Sequence, residues 1–278
     1  VRLVGSEMCI RDSFITQGEP FLQALIEGLS PLHEVSESVS GAMPTSDTEA
    51  VVIAQGISTS DPQWQKAQEL QLPIYSYGAF LYQLHKLKTR VVVTGTQGRE
   101  EIAAMVLHTM EYFSKEIDYF LETPIGDKPS CRFSTGAEFV LIEGNESYTE
   151  VDKAPIFHTY APTLALVSHI EETSKEVYAD FINTITKGGI LVYNQEDSLL
   201  SSIAEATENQ LRLMPYVTAD YIENGQTTYL VTPEGEMPLM ISGKERMNYL
   251  SGAKWLCQNL GIDEQDFYQA MATFESEE

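Results

Sequence analysis

The amino-acid sequence predicts an α/β protein built on a mainly parallel sheet. Short apolar runs alternate along the chain with segments of helical periodicity, which is the pattern that β-α-β units produce. Two of the runs, Ala50–Ala54 (AVVIA) and Arg90–Thr94 (RVVVT), have apolar side chains at consecutive positions. Such runs are typical of parallel strands that are buried on both faces. The 278 residues are 43% hydrophobic, which is enough to form a folded core.

Before residue 89, the patterns predict two strands, each followed by a helix. Ala50–Ala54 is the first strand, and a helix at Asp61–Leu70 follows it. This helix begins with Asp-Pro, a good pair for the N-cap and the first helical position. Pro73–Tyr75 is predicted as the second strand and Ala79–Leu87 as the second helix.

After residue 89, the same alternation continues. The strand Arg90–Thr94 leads through a glycine-containing turn into a helix at Arg99–Phe113, whose apolar residues recur at helical spacing. Further strands are predicted at Phe139–Glu143, Thr163–Val167 and Gly189–Tyr193, and further helices at Lys175–Thr186, Ser198–Glu208, Glu245–Leu260 and Glu264–Phe274.

One region late in the chain has the pattern of an antiparallel meander rather than of a β-α-β unit. Its three predicted strands are Leu213–Ile222, Thr227–Thr232 and Met237–Ile241. The turn-forming segments Asn224-Gly225 and Pro233–Gly235 lie between them, so we expect short hairpin connections.

The charge of the chain excludes several classes of partner. Lysine and arginine total 17 against 41 aspartate and glutamate residues, which gives a formal net charge of −24. Proteins that bind nucleic acid or anionic lipid normally carry a basic surface, so we expect neither partner. No apolar run approaches the roughly 18 residues that a membrane helix needs. Cys9, Cys131 and Cys257 match no metal-binding or disulfide spacing, and we expect a cytoplasmic protein with reduced thiols.

The two ends of the sequence suggest that it is a fragment. Val1–Ser13 lacks the apolar core of a signal peptide and resembles translated sequencing-adapter sequence, so residues 1–13 are left out of the fold prediction. The last predicted helix ends close to Glu278. Between these ends, a linker at His85–Thr89 separates a partial first domain, residues 14–88, from a larger domain, residues 89–274.

The turn after the strand Arg90–Thr94 has the features of a phosphate-binding loop. Backbone N–H groups at a glycine turn and the positive end of a helix dipole together attract phosphate. A working phosphate loop adds a lysine for the phosphates and a hydroxyl residue for Mg²⁺. Here Arg99 stands at the lysine position and Glu100 at the hydroxyl position. The loop alone is therefore a weak signal.

Residues 91–110, VVVTGTQGREEIAAMVLHTM, resemble the ATP-binding strand, loop and helix of the Mur ligases. Ala50–Leu84 is similar to the end of that family's UDP-sugar-binding domain, and Phe139–Tyr148 to its strand with paired glutamates. The resemblance covers about residues 45–274 and implies a P-loop-like central domain with an antiparallel meander, preceded by part of a Rossmann-like N-terminal domain. The family's C-terminal domain is expected to be absent. The most similar branch contains the muramate–alanine and murein-tripeptide ligases.

The resemblance also implies a set of site residues. ATP would be bound by the loop residues, and Mg²⁺ by the glutamate that ends the strand Phe139–Glu143 and the glutamate three residues later. The nucleotide-binding candidates are Gly95, Thr96, Gln97, Gly98, Arg99 and Glu100; the metal candidates are Glu143 and Glu146; and the catalytic candidates are Arg99 and Glu146.

Several positions depart from the family's pattern, Gly-Thr-x-Gly-Lys-Thr-Thr, and from its later motifs. Glu100 puts a carboxylate where a phosphate would lie, and two unit charges about 4 Å apart repel by about 4 kcal/mol at an effective dielectric near 20. Thr173 stands where the family has a metal-binding histidine, and Tyr249 where it has an adenine-side asparagine. The nearby His169 is interpreted as a solvated loop residue.

These departures lead to three hypotheses. The first is a Mur-ligase-like pseudoenzyme with an inactive ATP site, which binds a UDP-muramyl nucleotide or an active Mur ligase. The second is an active ATP-dependent amide ligase that forms an acyl phosphate with an altered phosphate loop. The third is a non-catalytic interaction module.

Overall fold

The computed structural model describes residues 11–15, 20–30, 34–37, 43–225 and 227–275. In chain order, the elements are β1 (Arg11–Ile15), α1 (Pro20–Leu29), β2 (Glu34–Glu37), β3 (Ala50–Ile53), α2 (Pro62–Glu69), β4 (Ile74–Ser76), α3 (Tyr77–His85), β5 (Thr89–Thr94), α4 (Arg99–Tyr112), β6 (Asp118–Phe120), β7 (Cys131–Arg132), β8 (Phe139–Glu143), β9 (Tyr148–Thr149), β10 (Ala154–Pro155), β11 (Leu164–Val167), α5 (Lys175–Thr184), β12 (Ile190–Asn194), α6 (Ser198–Glu205), β13 (Arg212–Tyr216), β14 (Tyr221–Asn224), β15 (Thr227–Thr232), β16 (Gly235–Leu239), α7 (Lys244–Asn259) and α8 (Glu264–Met271). None of the helices in these ranges is both long and apolar enough to cross a membrane.

The chain divides into two units. Unit 1 contains the described residues up to Lys88, together with Asp118–Thr135 and Asn145–Ala161. Unit 2 contains Thr89–Ile117, Gly136–Gly144 and the described residues from Pro162 onward.

Unit 1 is built on four parallel strands in the order β2-β1-β3-β4. Unit 1 also contains the residues of two antiparallel pairs, β6–β7 and β9–β10. The predicted start of α2 is confirmed, because the Asp61 carboxylate accepts hydrogen bonds from the backbone N–H groups of Gln63 and Trp64 at 2.8 and 3.3 Å. These bonds satisfy two of the free N–H groups at the helix start.

Strand β1 differs from the expectation for the first residues of the chain. Arg11–Ser13 were left out of the predicted fold, but they belong to a strand that pairs with both β2 and β3. Phe14 and Ile15 of this strand are buried. An apolar run of only two residues is too short to be recognised from its pattern, so β1 was not predicted. Residues 1–10, to which the adapter interpretation also applies, lie outside the described residues.

Unit 2 contains five parallel strands in the order β13-β12-β11-β5-β8. The chain runs from β5 to β8 on one side, and then to β11 on the other side of β5. Helix α4 packs against α7 and α8, and α7 also packs against β11, β12 and β13. The predicted α/β fold with a mainly parallel sheet is confirmed.

The predicted meander is partly wrong. The run Leu213–Ile222 is not one strand, because β13 ends at Tyr216 and β14 begins at Tyr221. β13 pairs in parallel with β12 at the edge of the main sheet, where Pro215 is tolerated because proline has no N–H group to donate and one side of an edge strand pairs with no other strand. Only β14, β15 and β16 form the antiparallel sheet. The alternation of apolar and polar residues can predict a strand, but it cannot predict which other strand it pairs with.

Candidate functional site: a phosphate-type loop with internal ion pairs

The candidate site lies where the parallel strands of unit 2 end. Strand β5 lies between β8 and β11. The chain places β8 on one side of β5 first and β11 on the other side later, so the direction in which strands are added reverses at β5. Ligands of open parallel sheets commonly bind outside the carboxyl ends of the strands at such a reversal. The loop Gly95–Gly98 between β5 and α4 occupies this position.

Two glycines give the loop its shape. Gly95 and Gly98 have φ angles of 140° and 78°, which other residues rarely adopt. The backbone N–H group of Thr96 donates to the carbonyl oxygen of His169 at 2.9 Å, and the Ser168 hydroxyl donates to the carbonyl oxygen of Gln97. These two hydrogen bonds hold the loop against the segment that follows β11.

Arg99 and Glu143, two of the predicted site residues, form an ion pair with each other. Arg99 Nε donates to Glu143 Oε1 at 2.8 Å. The Glu143 side chain is only 1% exposed, and that of Arg99 is 25% exposed. The contact forms because β8, which ends at Glu143, is hydrogen-bonded to β5, which leads into the loop.

Carboxylates of the chain itself surround the start of α4. Glu100 is exposed in the first turn of the helix, and Glu101 is ion-paired with Arg246 at 2.9 Å. Both charges complement the positive end of the helix dipole. The first turns of α4 and α7 together line a cavity of about 640 Å³, which also contains Glu245.

The ring of Tyr249 lies against the loop. A Cβ atom added to Gly98 would be 2.7 Å from Tyr249 Cδ1 and still closer to two other ring atoms. Burial, with Glu245 and Glu101 nearby, raises the pKa of the Tyr249 hydroxyl, which therefore stays protonated at neutral pH. Tyr249 also lines a second cavity of about 470 Å³, which lies beside Gln97 and His169.

His169 is the functional candidate that the sequence interpretation missed. Its Nδ1 atom lies 2.7 Å from Oδ2 of Asp197, whose side chain is 5% exposed. Asp197 caps α6 and also accepts a hydrogen bond from the backbone N–H of Ile170. His169 follows β11 and Asp197 follows β12, and these strands are neighbours. Knowledge of this pairing would have predicted the contact, because the carboxyl ends of adjacent parallel strands meet.

The predicted site residues thus fall into two groups. Gly95, Thr96, Gln97, Gly98, Arg99, Glu100 and Glu143 lie together in unit 2. Glu146, the other metal candidate, lies in unit 1 and is half-buried. Within the described part of the chain, no group of three or more His, Cys, Asp and Glu side chains has an arrangement that could hold a metal ion.

The contact between Gly98 and Tyr249 predicts the effect of an added methyl group. Gly98→Ala is expected to lower the free energy of unfolding by about 3 kcal/mol, because it combines an unfavourable φ angle with a clash against the ring. Gly188→Ala is the matched control: Gly188 has a φ of 81° and no atom within 4 Å of an added Cβ. Its cost is expected to be about 1 kcal/mol. Urea denaturation measures both values.

A second measurement separates the clash from the backbone effect. In a Tyr249→Ala background, Gly98→Ala should cost no more than Gly188→Ala, because the ring is gone. If the cost of Gly98→Ala is unchanged in that background, the ring does not restrict the loop.

Comparisons with known proteins agree on one family. No family model matches the chain. The chain is 24% identical over 212 residues to the UDP-N-acetylmuramate–L-alanine ligase of Aquifex aeolicus, covering 72% of this chain and 44% of that protein. It is 22% identical over 251 residues to the enzyme of the same name from Streptomyces avermitilis, covering 82% and 53%. The chain therefore spans about half the length of the curated relatives it matches.

Solved structures show the same fold. The UDP-N-acetylmuramate:L-alanyl-gamma-D-glutamyl-meso-diaminopimelate ligase of Neisseria meningitides matches with a TM-score of 0.81 at 15% identity, over 98% of this chain and 100% of that one. The UDP-N-acetylmuramate-alanine ligase of Thermotoga maritima matches with a TM-score of 0.68 at 16% identity, over 95% and 68%. The chain is therefore similar in sequence to UDP-N-acetylmuramate–L-alanine ligases and has the fold of the Mur ligases.

Proposed function

We propose that this chain is a Mur-ligase-like pseudoenzyme: a relative of the ligases of peptidoglycan synthesis or recycling whose ATP site does not turn over. Its role would be to bind a UDP-muramyl nucleotide or an active Mur ligase in the cytoplasm. By family resemblance, an active member uses ATP and Mg²⁺ to convert a carboxylate into an acyl phosphate, which an amine then attacks. The observation that carries the proposal is the ion pair between Arg99 and Glu143.

This ion pair uses both charged groups that an altered ATP site would need. Arg99 would have to turn toward a phosphate and Glu143 toward Mg²⁺, so the pair would have to separate. Separating a buried pair costs about 3–5 kcal/mol, which corresponds to a loss of affinity of about 100- to 5,000-fold. Glu146 would then remain as a metal candidate, but it provides only one carboxylate.

Two further features oppose the binding of a triphosphate. Glu100 places a negative charge in the first turn of α4, where phosphate oxygens would have to approach. The Tyr249 ring lies directly against Gly98 and restricts access to the loop from the side of α7. The side chains present therefore do not fit MgATP in this arrangement, and we derive no catalytic step from it.

Calorimetric titration of the protein with MgATP tests the proposal. We expect no saturable heat and a Kd weaker than about 1 mM. An active UDP-N-acetylmuramate–L-alanine ligase, titrated under the same conditions, is the positive control. A micromolar Kd for this chain would contradict the proposal.

The alternative function is an active ATP-dependent amide ligase with an altered phosphate loop. Gly95, Thr96 and Gly98 favour it, because they keep the family's residues and the loop keeps its position between β5 and α4. This function requires ADP release that depends on a UDP-muramyl acceptor and an amine. Release no faster than without the acceptor would exclude it.

A further inference from the structure

We propose that strand β14 binds an extended segment of another protein, which adds to the sheet β14-β15-β16 as a fourth strand and carries lysine or arginine at alternate positions. The inference goes beyond the proposed function, because its residues lie in the antiparallel sheet of unit 2 and not in the phosphate-type loop. When a strand is added to a sheet in this way, backbone hydrogen bonds provide affinity and alternate side chains provide specificity.

The outer side of β14 presents unpaired backbone groups. β14 is at the edge of its sheet, and no other strand in the described part of the chain pairs with that side. The N–H group of Val231 donates to the carbonyl oxygen of Asp220 at 2.9 Å. Hydrogen-bonded and non-hydrogen-bonded pairs alternate in an antiparallel ladder, so Ile222 is also bonded to β15, whereas the N–H and C=O groups of Tyr221 and Glu223 point outward. An added strand can bond to these four groups.

The other edge of the sheet, at β16, is less suited to strand addition. Pro238 lies opposite Tyr229, which is bonded on its other side to Ile222. The nitrogen of Pro238 therefore points away from β15, and proline has no N–H group to donate there. Proline on an edge strand is one way in which proteins prevent pairing with another chain, and β14 contains none. β14 is therefore the edge that can accept a strand.

The solvent-facing side of the sheet carries an apolar row that ends at β14. Ile222, Tyr229 and Pro238 lie directly opposite one another on the three strands. Ile222 is 43% exposed, and Val231, on the same face as Tyr229, is 42% exposed. Leu230 on the other face is only 1% exposed. An apolar side chain that a fourth strand places beside Ile222 would extend this row and cover Ile222.

The charge around β14 favours a basic partner. The chain has no lysine or arginine between Arg212 and Lys244, and the acidic residues of this stretch are Asp220, Glu223, Glu234 and Glu236. Glu223 is exposed, and its side chain points to the opposite face from that of Ile222. A strand with an apolar residue beside Ile222 therefore has its next residue beside Glu223, where lysine or arginine would form a cross-strand ion pair. A second copy of this chain would bring the same acidic stretch and a net charge of −24, so repulsion opposes it.

NMR titration with defined peptides tests the inference. The first probe is a seven-residue peptide in which lysine and valine alternate. The second has glutamate in place of lysine, and the third is the lysine peptide with methylated backbone nitrogens, which keeps the side chains but removes the N–H donors. We expect the lysine peptide to bind with a Kd below about 1 mM and to slow hydrogen exchange at the Tyr221 and Glu223 amides. The other two peptides should bind at least about fivefold more weakly.

Substitutions on the two edges test the location. Glu223→Pro puts a proline where the nitrogen points outward, as that of Pro238 does on β16, and should weaken binding of the lysine peptide at least about tenfold, because a donor and a charge are lost. Glu223→Gln keeps the backbone unchanged and should weaken binding about threefold, which provides a second test if Glu223→Pro disturbs the hairpin. Glu236→Gln, the matched control on β16, should change binding by less than about twofold.

Each outcome decides the matter. Binding of the lysine peptide that protects the Tyr221 and Glu223 amides and is weakened by N-methylation supports the inference. The inference fails if this peptide does not bind or does not protect these amides, if either of the other peptides binds as tightly, or if Glu236→Gln weakens binding as much as Glu223→Gln. It also fails if sedimentation shows that the chain alone forms a dimer in which the same amides are protected. None of these results depends on MgATP, so a failure here leaves the proposed pseudoenzyme function intact.

Discussion

Replacing Arg99 by alanine is expected to lower the free energy of unfolding of unit 2 by about 3–5 kcal/mol. The substitution removes the guanidinium that lies 2.8 Å from Glu143 Oε1 and leaves a carboxylate that is only 1% exposed. A buried charge that loses an ion-pair partner keeps its cost of desolvation but loses the attraction of that pair. The loss of stability is large because the Glu143 carboxylate stays buried after Arg99 has been removed.

The measurement needs a signal from unit 2. Trp255 lies in α7 and Trp64 in α2, so each unit contains one tryptophan. Urea denaturation in a Trp64→Phe background therefore reports unit 2 through Trp255 fluorescence. Following unit 2 alone also avoids treating two units as a single two-state transition.

Two further variants test the explanation. Arg246→Ala is the matched control, because Arg246 pairs with Glu101 where the two side chains are 38% and 21% exposed. Its cost should be clearly smaller than that of Arg99→Ala, because the Glu101 side chain is more accessible to solvent than that of Glu143. Adding Glu143→Gln to Arg99→Ala should recover part of the lost stability, since no buried charge remains. If Arg99→Ala costs no more than Arg246→Ala, the buried pair contributes little to folding.

Local signals in the sequence predicted the elements around the loop well. Helix α4 was predicted at Arg99–Phe113 and occupies Arg99–Tyr112. Its start follows a glycine and its apolar residues recur at helical spacing, so nearby residues alone determine it. The same holds for α2, whose Asp-Pro start caps the helix as expected.

Elements whose signals are short or whose partners are distant were not predicted. No strand or helix was assigned before Ala50, yet β1, α1 and β2 lie there. β13 was joined to the meander because alternation shows that a segment is a strand but not which strand it pairs with. Its parallel pairing with β12 depends on residues about 20 positions earlier in the chain.

The residues of the candidate site divide in the same way, into those that local sequence predicts and those whose contacts depend on strand pairing. The loop residues Gly95–Gly98 are consecutive, so they could be placed from the sequence. Arg99 and Glu143 were assigned separately to phosphate and metal, and their contact follows only from the pairing of β5 with β8. His169 had no partner nearby in the sequence, because Asp197 is held beside it by the pairing of β11 with β12.

Restoring three family residues is expected to create measurable MgATP binding. The variant combines Arg99→Lys, Glu100→Thr and Tyr249→Asn. Glu100→Thr removes the repulsion between an exposed carboxylate and the phosphates, which solvent screens to less than the roughly 4 kcal/mol of two unit charges about 4 Å apart at an effective dielectric near 20. Arg99→Lys supplies a compact ammonium that can leave Glu143 for a phosphate, and Tyr249→Asn removes the ring from Gly98. After the cost of rearrangement, we expect a gain of at least about 100-fold over the original chain.

Calorimetry with matched variants shows which change is responsible. Glu234→Thr, in the turn between β15 and β16, removes the same charge at an exposed position outside the loop and should not create binding. The double variant that keeps Tyr249 should bind more weakly than the triple variant, because the ring still covers Gly98. If the triple variant binds MgATP no better than the original chain, these three side chains are not what prevents binding. If Glu234→Thr gives the same gain, the overall charge of −24, rather than the local charge at Glu100, controls access to the loop.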